Sequence, residues 1–175
     1  MFWYIKAFRH IFSNTLKKLL TNSLVLSRFD YGDTVYGNFI NKSEQNRIQK
    51  IQNFCIRYIY NICKLDLRSH KFAELGWLPM AKRRKVHFCS FIYKVMKTGK
   101  PEHLFSRLNP RSTLHTVEIR SKRNLHIPRH RTTLFQKGFT YKAAKYFNTL
   151  VRQFLDLPVG LFKKRIKHFF AINDL

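Results

Sequence analysis

Acidic residues are scarce in this sequence. Only 9 Asp and Glu accompany 34 Lys and Arg among 175 residues, which leaves a formal net charge of +25. A compact chain with so much uncompensated charge repels itself unless a polyanion neutralises it. Nucleic acid is the commonest polyanion, and an acidic membrane surface is the second candidate. The few acids also argue against a nuclease or polymerase centre, because such centres hold metal ions between paired carboxylates.

Cysteine and glycine are also infrequent, with 3 and 6 residues respectively. Three cysteines cannot all pair with one another, so the sequence predicts reduced thiols. Cys55 and Cys89 fall at apolar helix positions, which favours a core role. His87 and Cys89 have no second ligand pair at short spacing, as a zinc site would need. Because no glycine-rich phosphate loop is present either, we expect no catalytic residues, no metal and no cofactor.

Long apolar runs are absent. The longest stretch without a charged residue is Leu19–Ser27, nine residues, about half of what a membrane-spanning helix needs. The first residues carry bulky apolar side chains, and Lys6, Arg9 and His10 interrupt any signal-peptide core. We therefore expect an intracellular protein without a transmembrane segment.

The apolar spacing predicts a mainly α-helical fold, a bundle-like array of several helices with an irregular basic linker. A first helix ends at the turn residues of Phe29–Asp33. A second helix begins near Asn41 or Ser43. The inward residues predicted for the first helix are Phe8, Ile11, Phe12, Leu16, Leu19 and Leu20, and those predicted for the second are Ile48, Ile51, Cys55, Tyr58, Ile59 and Ile62.

A third helix is predicted at about 80–98, where Gly99 and Pro101 end it. Periodicity fades over 101–137, which we interpret as a basic irregular linker that orders on a partner or contains short strands such as Leu125–Ile127. Helical spacing returns with Phe139 and continues to a final helix over Phe162, Ile166 and Phe169. The predicted subdomains are therefore 1–100 and 138–175.

Positive charge is concentrated in the second half of the chain. Residues 81–175 contain 22 Lys and Arg but 4 Asp and Glu. Lys and Arg contact phosphates and release condensed counterions, which gives affinity without reading base sequence. The candidate nucleic-acid-binding residues are Lys82, Arg83, Arg84, Lys85, Arg120, Lys122, Arg123, Arg129, Arg131, Lys163, Lys164, Arg165 and Lys167. Interleaved aromatic residues either stack on bases or, as is commoner at helical spacing, form the core.

An ordered set of short motifs resembles one known family. The motifs are Leu24–Gly32, Arg47–Arg57, Leu75–Pro79 with Arg83 and Arg84, Pro101–Leu104, Ile127–Arg129, Phe147–Leu150 and Phe162–Lys167. Their order and spacing are similar to the region downstream of the catalytic core in reverse transcriptases of non-LTR (LINE-type) retrotransposons. The family's Trp-Asn near the end is Phe147-Asn148 here.

That resemblance implies thumb-like helices in residues 1–100 that help to hold template RNA and target DNA. It implies no polymerase activity, since the family's Tyr-x-Asp-Asp motif and its palm have no counterpart here. Asp30-Tyr31-Gly32-Asp33 corresponds to a downstream Asp-Tyr turn of the family. A partner implied by the resemblance is the ribonucleoprotein of a parent element, so we expect the chain in a nuclear or cytoplasmic ribonucleoprotein.

We therefore expect a non-enzymatic protein that binds RNA or DNA through phosphate contacts, largely independently of sequence. One alternative is membrane-surface or protein-partner binding through basic amphipathic helices, notably residues 161–170. A second alternative is surviving polymerase or nuclease activity, and a third is a decayed fragment without a selected function.

Overall fold

The computed structural model of the chain describes residues 10–63, 66, 69–111 and 124–172. The fold is mainly α-helical, as predicted. Ten α-helices, a π-helical segment and a 3₁₀ segment follow one another in the described residues. They are α1 (Asn14–Thr21), a π segment (Asn22–Leu26), α2 (Ser27–Asp30), α3 (Asp33–Tyr36), α4 (Lys42–Tyr60), α5 (Ser69–Leu75), α6 (Met80–Thr98), α7 (Glu102–Phe105), α8 (Thr133–Lys137), α9 (Phe139–Thr149), a 3₁₀ segment (Val151–Phe154) and α10 (Val159–Ile172).

The chain forms two compact units. The first unit comprises Met1–Asp33 and Ile40–Arg84, and the second comprises Thr34–Phe39 and Lys85–Leu175. The predicted subdomains at 1–100 and 138–175 stay a prediction, because compactness alone does not show which segment folds independently.

The buried face of α1 differs from the predicted one. Ile11 and Leu19 are 76% and 61% exposed, whereas Lys17 and Thr21 are 1% and 2% exposed. Lys17 is accommodated because its Nζ donates a hydrogen bond to Asn61 Oδ1 at 3.2 Å. The predicted inward stripe is therefore wrong at Ile11, Leu16 and Leu19, whereas Phe12 and Leu20 are half-buried and Phe8 lies outside the described residues. Apolar spacing identifies a stripe but not the partner that buries it.

Helix α4 begins where the sequence predicts. Asn41 Oδ1 accepts the Glu44 backbone N–H at 2.8 Å, and Glu44 Oε2 accepts the Asn41 N–H at 3.0 Å. This reciprocal capping box satisfies two donors that the helix start leaves open. Asn61 ends the helix with a left-handed backbone, φ 54° and ψ 32°.

One inward position of α4 is wrongly predicted. Ile51 is 39% exposed, and the neighbouring Gln52 is fully buried. Gln52 Nε2 donates to the Leu78 carbonyl at 2.8 Å, and its Oε1 accepts from Gln49 Nε2 at 2.9 Å. Because these bonds replace those to water, a polar side chain is stable in the core. The core cluster of the first unit contains Leu26, Cys55, Ile56, Tyr58, Ile59, Leu75, Trp77 and Met80.

Helix α6 occupies the predicted range. Val86, Cys89, Ile92 and Tyr93 are buried along it. Gly99 follows with φ +66° and donates its N–H to the Val95 carbonyl at 2.9 Å. Glycine adopts this left-handed conformation without steric cost, which explains why the helix ends there.

The predicted irregular segment 101–137 contains more helix than expected, since α7 and α8 lie within it. Leu125, placed in a predicted strand, forms an isolated β-bridge with Pro110. The side-chain amide of Asn148 on α9 forms hydrogen bonds with both backbone polar groups of Leu125. Its Oδ1 accepts the Leu125 N–H at 2.8 Å, and its Nδ2 donates to the Leu125 carbonyl at 2.9 Å. The basic segment is thereby fixed to α9 at this point.

Candidate nucleic-acid interface

The four consecutive basic residues Lys82–Lys85 do not share one face of α6. An α-helix turns about 100° per residue, so four neighbours point in different directions. Arg83 forms an ion pair with Asp30, in which Nε donates to Oδ1 at 2.7 Å and Nη2 donates to Oδ2. Arg84 is 8% exposed. Lys82 and Lys85 are half-buried. This cluster therefore presents less positive charge to solvent than its sequence suggests.

The other predicted residues fall into two groups. Arg129, Arg131, Lys163, Lys164, Arg165 and Lys167 are exposed. Arg120, Lys122 and Arg123 lie outside the described residues. Phosphate contact requires accessible cations, so the exposed group meets this requirement.

Helix α10 separates apolar from basic residues as predicted, but Phe170 and not the predicted Phe169 completes the buried side, since Phe169 is only half-buried. Phe162, Ile166 and Phe170 recur at four-residue steps and are at most 1% exposed. Lys164 and His168 lie on the opposite side by helical geometry, and Lys163, Arg165 and Lys167 flank them. No Asp or Glu occurs within α10. The exposed surface of α10 is therefore positive between Lys163 and Lys167, whereas Leu161 and Ile172 are exposed apolar residues near its two ends.

A second group of cations interacts electrostatically with Lys142 on α9. Burial lowers the pKa of Lys142, and repulsion from Lys145, Lys85 and Lys137 lowers it further. We call Lys85, Lys137, Lys142 and Lys145 the lysine cluster. Lys85 Nζ lies 5.9 Å from the centroid of the Phe170 ring, which brings α10 to the same place. A negatively charged ligand at the cluster would relieve this repulsion.

Sequence reasoning missed three members of the lysine cluster, namely Lys137, Lys142 and Lys145. They are spaced singly along α8 and α9, so they do not form a run that a search for consecutive charges detects. A weaker signal was available, because α9 contains two lysines at a three-residue step and no acid. Residues three apart on a helix share a face.

The interleaved aromatic residues form the core of the second unit. Tyr93 stacks on Phe162 with ring centroids 4.0 Å apart. The Phe88 ring meets Phe139 and Tyr146 edge-on, with centroids 6.1 Å and 5.7 Å away. Phe147 is 2% exposed. These rings are buried in the core of the second unit. Base stacking by Phe88, Tyr93 or Phe147 would therefore require the core to open.

The two cysteines that were predicted to lie in the core, Cys55 and Cys89, are buried there. Cys55 and Cys89 are buried, Cys63 is exposed, and all three are free. Burial raises the pKa of Cys55 and of Cys89 to about 12 in each case. Because the thiolate is the reactive form, Cys55 and Cys89 are unreactive near neutral pH.

The acidic pair Asp30 and Asp33 lies at a turn, as predicted. Gly32 between them has φ +66°, and Tyr31 donates its N–H to the Ser27 carbonyl at 3.0 Å at the end of α2. Asp30 is engaged with Arg83. The spacing of the two acids is therefore explained by chain reversal and by the ion pair.

No protein-family model, curated protein or solved structure matches this chain. Among the helices of the described residues, none is both long and apolar enough to cross a bilayer.

Proposed function

We propose that this chain binds RNA or DNA through phosphate contacts, without catalysis and largely without reading base sequence. The observation that carries the proposal is the lysine cluster, where three lysines stand close enough to Lys142 to lower its pKa. Such crowding destabilises the free protein. A phosphate backbone placed at the cluster converts this repulsion into attraction.

The charge of the second unit supports the same proposal. Its sequence contains 19 Lys and Arg but 4 Asp and Glu. The ion pairs Lys71–Glu74 and Arg83–Asp30 both belong to the first unit. The exposed residues of α10 add cations for contact with phosphates, and phosphate contacts carry no base information.

The motif order adds an independent argument. A resemblance to the region after the palm in non-LTR reverse transcriptases suggests that the chain holds template RNA or target DNA as a thumb-like element. Membership of a parent element's ribonucleoprotein is part of this proposal.

Membrane-surface binding through α10 is the competing function. Interfacial helices insert their apolar face between lipids. In α10 that face consists of Phe162, Ile166 and Phe170, each at most 1% exposed and packed inside the second unit. Insertion of this face would therefore require the helix to leave its core. Val159, Leu161 and Ile172 are exposed near the two ends of α10, but the exposed cations Lys163–Arg165 and Lys167 lie between them along the helix. We therefore favour the nucleic acid.

The test is a titration of binding against salt. Fluorescence anisotropy of a labelled 20-nucleotide RNA and of the matching duplex DNA is measured across salt concentrations. If six phosphates are contacted, the log–log slope for duplex DNA is about −5. A slope near zero refutes the proposal, and so does preferential flotation with anionic vesicles in the presence of competing RNA.

A further inference from the structure

The irregular segment 125–130 is attached to α9 at both of its ends. Leu125, at its start, forms the two hydrogen bonds with the side chain of Asn148 in the last turn of α9. His130, at its end, meets Tyr141 in the first turn of α9, with ring centroids 4.8 Å apart. Tyr141 and Asn148 are about 10 Å apart along the helix axis. The segment therefore runs along α9 in the opposite direction to the helix.

This arrangement brings the cations of the segment beside those of α9. Arg129 and Arg131 flank His130 in sequence and are exposed. Lys145 is also exposed and lies four residues after Tyr141, so the two residues share a face of α9. His130 has a second partner on α8, because Gln136 Nε2 lies 2.5 Å from His130 Nε2, within hydrogen-bonding distance. All of these residues belong to the second unit.

The rings of His130 and Tyr141 remain accessible, unlike the aromatic core of the same unit. His130 is exposed and Tyr141 is half-buried. Their planes make an angle of 74°, so the edge of one ring meets one face of the other. The pair itself therefore covers only one of its four ring faces. The contact with Gln136 lies at a ring nitrogen, in the plane of the imidazole, and covers no face.

We propose that the His130–Tyr141 pair stacks on an unpaired base of single-stranded RNA or DNA, while Arg129, Arg131 and Lys145 contact the phosphates on either side. Tyrosine and histidine rings both stack on splayed-out bases. Stacking of this kind depends little on base identity, because every base has a π-face. In a duplex the bases cover one another, so the pair favours single strands. This inference rests on the proposed nucleic-acid binding and names the form of nucleic acid that the surface prefers.

An abasic strand separates stacking from phosphate contact, since it keeps the phosphates and lacks the bases. Fluorescence anisotropy compares a labelled 20-nucleotide DNA strand, an abasic strand of equal length and the matching duplex. The unmodified chain is expected to bind the intact strand about five- to hundred-fold more tightly than the abasic strand, the range that stacking of one base provides. An RNA strand of the same sequence tests whether the sugar matters, and the same preference over the abasic strand is expected.

Tyr141→Leu removes the ring and retains apolar volume, so it is expected to abolish most of the preference for the intact strand. Duplex affinity is expected to stay within about twofold, because the cations are unchanged. Tyr141→Phe keeps the ring and is expected to behave like the unmodified chain. The matched control is Tyr31→Leu, which removes a tyrosine ring that is 85% exposed in the first unit and is expected to leave all affinities unchanged.

The possible results are distinct. Equal affinity of the unmodified chain for the intact and abasic strands overturns the inference, and a steep salt dependence of both would leave the proposed function standing. Equal effects of Tyr141→Leu and Tyr31→Leu also overturn it. If circular dichroism shows that Tyr141→Leu does not fold, His130→Ala replaces it, with His126→Ala at another exposed histidine as its control. Failure of every strand and of the duplex to bind refutes the proposed function and this inference together.

Discussion

Arg83 and Asp30 form a two-point ion pair that joins α6 to the end of α2. Both side chains are about three-quarters buried, with 24% and 25% of their surface exposed. A guanidinium held in this way is less available to phosphate than a solvated one. The pair therefore gives one candidate phosphate-contacting residue a structural role.

We expect Asp30→Asn to lower the free energy of unfolding by about 1–2 kcal/mol, because it removes one charge from a partly buried, charge-assisted pair. Urea denaturation measures the change. Arg83→Lys is expected to cost a similar amount, since an ammonium group does not form the two-point contact. If Asp30→Asn is as stable as the unmodified chain, the pair contributes nothing to the fold.

The double variant Lys142→Gln, Lys145→Gln is expected to weaken RNA binding about tenfold, because two phosphate contacts of modest strength are lost. The salt slope for single-stranded RNA is expected to become shallower by about 1.4. Stability is expected to stay equal or to rise, since like-charge repulsion is removed. The control is Arg47→Gln, Lys50→Gln on the exposed face of α4, and equal weakening by both pairs contradicts the assignment.

Lys142 should report nucleic-acid binding through its own titration. In the free protein its pKa lies below the ordinary lysine value, for reasons of burial and of neighbouring charge. A bound phosphate favours the ammonium form, so we expect the pKa to rise when an oligonucleotide is added. NMR of the lysine Nζ groups across alkaline pH measures this shift. A pKa unchanged at saturating RNA would show that the phosphates lie elsewhere.

Gln52→Ala is expected to lower the free energy of unfolding by about 2–3 kcal/mol. The substitution leaves a void and deprives the Leu78 carbonyl of its buried donor, and both effects are destabilising. Gln153 is exposed, so Gln153→Ala is the control and is expected to change stability by less than about 0.5 kcal/mol. Thermal or urea unfolding compares the two.

Phe162→Ala is expected to destabilise the chain by about 3–5 kcal/mol, because it removes a fully buried ring from the stack with Tyr93. Phe162→Leu retains much of the apolar volume and is expected to cost less. Loss of this anchor also frees α10, so RNA affinity should fall in proportion to the unfolded fraction. Affinity that is unaffected under conditions where Phe162→Ala unfolds would exclude α10 from the interface.

The helices were largely predictable because their signals are local. Asn41 with Glu44 marks the start of α4, and Gly99 marks the end of α6, through backbone hydrogen bonds within a few residues. The apolar and basic sides of α10 follow from its spacing alone. The lysine cluster was not predictable in this way, since Lys85 lies far along the chain from Lys142 and only packing brings them together.

The amino-acid sequence alone determined that this protein is helical, basic and poor in acids, because helix capping, apolar period and net charge depend on neighbouring residues and on composition. Only the tertiary structure decided that Lys17 and Gln52 are buried, that Arg83 is paired with Asp30, and that lysines of α6, α8 and α9 repel Lys142. The physical reason is that burial and electrostatic repulsion depend on distances in space, which separation along the chain does not specify.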